Sequence, residues 1–258
     1  MAGLVTGLMS GLLGLGGGVI VVPALFFIFK GYAGFPDDLC MHLAAGSSLG
    51  AMIGTSLASI HAHYRLSPIL WDEYSRLKIG IILGTFVGAG LAGFLSSMWL
   101  KIFFGCFLLF VAYKMFRSVH VFSHTKKMPV WVDRIVSFLI GFKSGLLGVG
   151  GGALIIPYLT YCGVPPRSIA PISSLCTLTV SIIGTCVFTL TGLSVLGLPP
   201  WATGYVYWPA VLFVAIPSII AAPWGARLNY SVPISQLRLT FVIILCIIAF
   251  NMLYSALR

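Results

Sequence analysis

The chain has 258 residues, 59% of them hydrophobic and only 8% charged, with a mean hydropathy of +1.06. A soluble domain of this size covers its surface with far more charge, so lipid is the natural solvent for most of this one. The net charge of +10 does not indicate a nucleic-acid binder, because the bases stand singly at the edges of apolar runs and form no clustered basic face.

At about 20 apolar residues per crossing, eight segments are predicted, at 2–29, 42–62, 78–97, 99–116, 135–161, 169–191, 206–225 and 239–256. The first has neither the basic start nor the cleavage site of a signal peptide and is expected to remain in the mature chain. Connectors such as "KGYAGFPDD", "HTKKMPVWVDR" and "GLPPWATG" carry turn residues, and all five acids (Asp37, Asp38, Asp72, Glu73, Asp133) fall between the runs. Tryptophans 71, 99, 131, 201, 208 and 224 lie near span edges, where interfacial rings belong. Six cysteines show no ligand spacing and read as inert buried thiols.

Two stretches nearly repeat: "GLLGLGGGVIVVPAL" from Gly11 and "GLLGVGGGALIIPYL" from Gly145. Further matches pair Ser10 with Ser144, Pro23 with Pro157, "SSL" at Ser47 with "SSL" at Ser173, and "IGT" at Ile53 with "IGT" at Ile183. The expected architecture is an all-α polytopic membrane protein of two homologous four-segment repeats, residues 1–127 and 128–258. A matched pair of glycine-interrupted segments points to a transporter's binding site.

The doubled phrase resembles the hallmark of the TauE/SafE sulfite exporter family, a G-x-G-G-G run followed by an apolar stretch and a proline. Here the residues are Gly14, Gly16, Gly17, Gly18 with Pro23, and Gly148, Gly150, Gly151, Gly152 with Pro157. The likeness covers essentially the whole chain and implies transport of sulfite or another sulfur-containing or organic anion.

Each glycine costs a helix interior about 1 kcal/mol relative to alanine, so four in five positions predict a break. In hydrocarbon, freed backbone groups are tolerated only inside protein or at a wet cavity. A break also exposes the N-terminus of the next half-helix, whose N–H groups attract anions. Close helix packing is the competing use of glycine, and spaced Gly80, Gly84 and Gly88 fit it better than a run does. Neither the dinucleotide fingerprint nor the phosphate-loop ending in Gly-Lys-Ser is completed.

Topology follows from charge. If segments one and five enter and leave on the same face, Arg65, Arg76, Lys78, Lys114, Arg117, Lys126, Lys127, Arg134, Arg167, Arg227 and Arg238 share one side. Lys30, Lys101 and Arg258 take the other, and Lys143 lies within the membrane. This division follows the positive-inside rule better than eight full crossings do, and it makes the repeats inverted, with both termini outside.

The expected substrate-binding residues are the glycines of both phrases, the hydroxyl pairs Ser47–Ser48 and Ser173–Ser174, and Lys143, the one base deep in a span. Serines also bond their own helix, and a lysine can snorkel, so each has a structural alternative. No acid lies mid-span to relay protons; His42, at the start of the second span, is the proton-coupling candidate, with an interfacial histidine as its alternative. His61 and His63 alone do not make a metal site. No metal, cofactor or nucleic acid is expected; the partners are a small anion and the lipid bilayer of the cell (inner) membrane. The function expected is export of that anion by alternating access. A passive anion channel stands as the alternative, ahead of an intramembrane enzyme, for which no nucleophile–base or metal constellation converges.

Overall fold

The computed structural model describes residues 3, 4, 6–8, 17–31, 35–64, 70–117, 128–229 and 234–257. They form nine helices of ten or more residues: α1 (Gly18–Gly31), α2 (Cys40–Tyr64), α3 (Trp71–Ala92), α4 (Ser97–Arg117), α5 (Val130–Leu147), α6 (Gly152–Tyr161), α7 (Pro166–Gly192), α8 (Trp208–Asn229) and α9 (Ile234–Leu257). Residues 3, 4 and 6–8 are also helical. Five of the nine, α2, α3, α4, α7 and α8, are long and apolar enough to cross a membrane. Their outward faces carry large apolar side chains such as Phe86, Phe110, Leu190 and Phe213, as contact with lipid requires.

Three expectations need correction. The third span begins at Trp71 rather than near 78, because Asp72 and Glu73 occupy the first helical turn, where carboxylates complement the helix dipole. The fold is also not purely helical. Ala202–Thr203 pairs antiparallel with Val206–Tyr207 in a short hairpin, β1 and β2, turned through Gly204 at φ 58°. The cysteines divide as well: Cys40 and Cys176 are buried, whereas Cys106, Cys186 and Cys246 face outward. All six tryptophans are exposed.

Small residues set the helix spacing. Gly80, Gly84 and Gly88 of α3 meet the backbone of α5 at Arg134, Phe138 and Phe142. In return, a Cβ placed on Gly141 or Gly145 would come within 2.5 Å of the carbonyl oxygens of Ile81 and Thr85. These helices therefore run side by side in the same direction with almost nothing between their backbones. α4 packs on α9, with Gly105 against Leu253. α2 and α7 cross the centre antiparallel, registered by Leu49 against Gly184 and by Ser59 Oγ 3.0 Å from Ser174 Oγ.

The molecule has two distinct ends. At the hairpin end, Phe29 stacks on Phe35 at 4.5 Å, both meet Tyr207, and Lys30 Nζ donates to Ser255 Oγ at 2.9 Å. At the opposite end, Arg76 Nη1 lies 3.7 Å from Asp133 Oδ2, and the Tyr158 hydroxyl donates to Asp133 Oδ1.

Candidate functional site

The fifth predicted segment breaks at its glycines. α5 stops at Leu147, and Gly148 takes the left-handed conformation (φ 69°, ψ 25°) that only glycine adopts without strain. Its N–H and that of Val149, at 3.0 Å, both donate to Ser144 O, closing the helix end. α6 then starts at Gly152 and runs back along α5: the Cβ position of Gly151 is 3.5 Å from Ile140, and Tyr158 reaches Asp133. The chain thus enters and returns to the end from which it came.

In the first phrase, Gly14 and Gly16 lie outside the described residues. Gly17 is left-handed at φ 73°, and its carbonyl accepts from Ile20 N at 3.0 Å and Val21 N at 3.1 Å as α1 begins. Gly18 meets the other break directly. A Cβ there would sit 2.7 Å from Met52 Sδ, 3.0 Å from Val149 Cα and 3.1 Å from Gly148 O. Gly148 in turn is pressed on Ala45 of α2. The start of α1 and the break before α6 are therefore brought together against α2, and with Ile20 N and Val21 N bonded to Gly17 O, the N–H groups of Gly18 and Val19 are the ones for which the helix itself supplies no acceptor.

The hydroxyl pairs are all buried but do not converge: Ser47 and Ser48 stand between Ala45 and Met52 on α2, whereas Ser174 lies opposite Ser59, two turns beyond Met52. Ser47 Oγ accepts from Tyr207 N at 2.9 Å, which ties the hairpin to α2. Ser48 Oγ donates to Met52 Sδ at 3.6 Å. Ser174 donates to Ala170 O at 3.0 Å and accepts from Ser59. Ser173 is fully buried one residue earlier on α7. Gly150, Gly151 and Gly152 make up the turn into α6. Lys143 points elsewhere along α5: its buried Nζ rests 3.7 Å from the centroid of the Phe107 ring of α4, a cation–π contact.

His42 is buried, 4% exposed, and is not a solvated interfacial ring. Its Nε2 lies 2.9 Å from Leu95 O and 3.1 Å from Ala92 O. Carbonyls only accept, so Nε2 carries the proton. Tyr205 of the hairpin stacks on the ring at 4.8 Å. The hairpin is seated by Tyr205 N donating to Phe188 O at 3.2 Å, and Gly46 and Gly192 leave room for its backbone. Among the described residues, no group of three or more His, Cys, Asp or Glu side chains could hold a metal ion.

Sequence reasoning missed the Arg76–Asp133–Tyr158 cluster. Asp133 counts as a connector acid in the sequence, yet it is 5% exposed and joins α3, α5 and α6. Its place in the first turn of α5, one turn before the buried Ser137, was the available signal.

The family description "Sulfite exporter TauE/SafE" matches residues 1–252. The chain belongs to the TauE/SafE sulfite exporter family. Its relatives include a "Probable membrane transporter protein" of Haemophilus influenzae, 30% identical over 98% of this chain and 96% of that protein. One of the same description from Methanocaldococcus jannaschii is 33% identical over 98% and 93%. A third, YunE of Bacillus subtilis, is 24% identical over 98% and 95%. No solved structure matches. This TauE/SafE chain is an integral membrane protein of transporter type.

Proposed function

We propose that this TauE/SafE protein is a secondary transporter of a small anion, sulfite or a related sulfur oxyanion or organosulfonate, working by alternating access at a site shared by two inverted repeats, residues 1–127 and 128–258. The observation that carries the reading is the meeting of Gly18 with Gly148 and Val149, which sets a half-helix N-terminus beside a second helix break at the centre. Peptide N–H groups there can hold a negative charge without a fixed cation.

Several contacts support the inverted repeat. α1 and α6 start at the matched glycines Gly18 and Gly152, and each carries a proline at its sixth residue, Pro23 and Pro157. Gly17 lies on Thr6 as Gly151 lies on Ile140, and Gly7 packs on α8 as Gly141 packs on α3. From the centre α1 runs to the hairpin end and α6 to the Asp133 end. Arg76, Lys78, Lys114, Arg134 and Arg167 belong to the Asp133 end, which the positive-inside rule makes cytoplasmic in an inner membrane. The hairpin over His42 then closes the outer side, and the Asp133 cluster the inner side.

Reconstituted flux tests the function. Liposomes loaded with labelled sulfite are expected to release it with saturable kinetics, and an imposed pH gradient reports coupling. Flux that rises linearly with concentration marks a channel; no flux of sulfite, thiosulfate or a simple sulfonate sinks the anion reading. In the same assay, Lys143→Met tests the deep lysine, since methionine keeps most of its length without the charge. If the ammonium offsets the anion's charge, KM rises about tenfold, the loss expected for one charge-assisted contact. An unchanged KM removes Lys143 from the site.

A further inference from the structure

We propose that Ser56 and Thr177 form a hydroxyl pair that hydrogen-bonds the transported oxyanion, an inference that rests on the anion-transporter reading above. The two central helices are held in a single antiparallel register. Gly46 faces Phe188, Leu49 faces Gly184, and Ser59 Oγ lies 3.0 Å from Ser174 Oγ. Ser56 is one turn before Ser59 on α2, and Thr177 is one turn after Ser174 on α7, so the two come level on the facing sides of the helices.

Both side chains are buried, at 1% and 0% exposure, and neither hydroxyl has a hydrogen-bond partner among the described residues. Their neighbours behave differently. Thr55 donates to Ala51 O at 3.1 Å, Ser181 to Thr177 O at 2.8 Å and Ser174 to Ala170 O at 3.0 Å. A hydroxyl buried without a partner is a cost that a methyl group of the same shape would avoid. Two such hydroxyls at one level give the fold nothing; they do supply two donors to something that arrives.

Their position says what arrives. Met52, one turn along α2 from Ser56, abuts Gly18 where α1 begins. The pair therefore stands one turn from a half-helix N-terminus, on the central seam. Hydroxyls donate to an oxyanion without fixing a charge in the protein, so the ligand is held and can also leave. These residues add side-chain donors to the peptide groups of the glycine phrases, and favour anions with several oxygens over halides of equal charge.

The test uses the full chain in liposomes and in detergent, with sulfite as the probe. Ser56→Ala and Thr177→Val are each expected to raise KM for sulfite about tenfold, the loss of one hydrogen bond to a charged group. The maximal rate should stay within about twofold of wild type. Thr177→Ser should keep the wild-type KM. Without sulfite, both hydroxyl-free variants should melt at or above the wild-type temperature, because an unpaired polar group has been removed; the stabilisation that sulfite gives wild type should shrink. Wild-type KM and wild-type sulfite stabilisation in both variants would overturn the pair while leaving the transporter reading intact. A fall in melting temperature and maximal rate with KM unchanged would make the residues structural and also overturn it. If wild type shows neither flux nor stabilisation with sulfite, thiosulfate or a sulfonate, the transporter reading fails first and the pair with it.

Discussion

Gly148→Ala is expected to abolish transport and to destabilise the protein by several kcal/mol. Two costs add. The left-handed backbone at φ 69° disfavours any residue with a Cβ by about 1–2 kcal/mol. The new Cβ would also fall on the backbone of Ala45, within 2.6 Å of its carbonyl oxygen. Overpacking of a tight contact costs about 1–3 kcal/mol, and here the obstacle is helix backbone rather than a side chain that can rotate away. Relief would require α2 to move, and α2 carries Ser47, Ser48 and Ser56. Gly90→Ala is the control: nothing lies within 4 Å of a Cβ at Gly90 in α3, so helix propensity should leave that variant as stable as wild type or about 1 kcal/mol more so. Thermal melts in detergent and sulfite flux in liposomes read both. A Gly148→Ala protein that melts and transports like wild type would mean that the turn at the break is dispensable.

The second large effect is expected at the opposite end, from Asp133→Ala. The side chain of Asp133 is 7% exposed, accepts from Tyr158 and faces Arg76. Removing one partner of a buried pair strands the other. Arg76, however, is 32% exposed and can turn to water, so the loss should be about 2 kcal/mol rather than the larger cost of a sealed pair. Tyr158→Phe should lose about 1 kcal/mol. The double variant should lose less than the sum of the two, since both remove the same hydrogen bond. Because this bond fastens α6 to the start of α5, both variants are also expected to change the rate of sulfite flux in liposomes. Strict additivity in the melts would show that Asp133 and Tyr158 do not act together.

The glycine runs were legible in the sequence because their effect is local. A run of four glycines in five positions disfavours a helix wherever it stands, and the second phrase breaks between Leu147 and Gly152. The spaced glycines of α3 were legible for the same reason, through their period. Which hydroxyls are spare was not legible. Ser47 and Ser48 look alike in sequence, yet Ser47 is occupied by a backbone N–H that arrives from Tyr207, on a hairpin far along the chain. His42 looks interfacial until Tyr205 covers it, and Asp133 looks like a loop acid until Tyr158 returns to it.

By itself, then, the amino-acid order determined the solvent, the helical segments and the places where they must break, all of which depend on hydropathy and backbone freedom within a few turns. Tertiary structure decided that the start of α1 touches the break before α6, that these two helices run from there toward opposite ends, and that Ser56 and Thr177 keep unspent donors among the described residues. The reason is that a polar group's satisfaction depends on which partner packs against it, and in this fold those partners come from helices far apart in the chain.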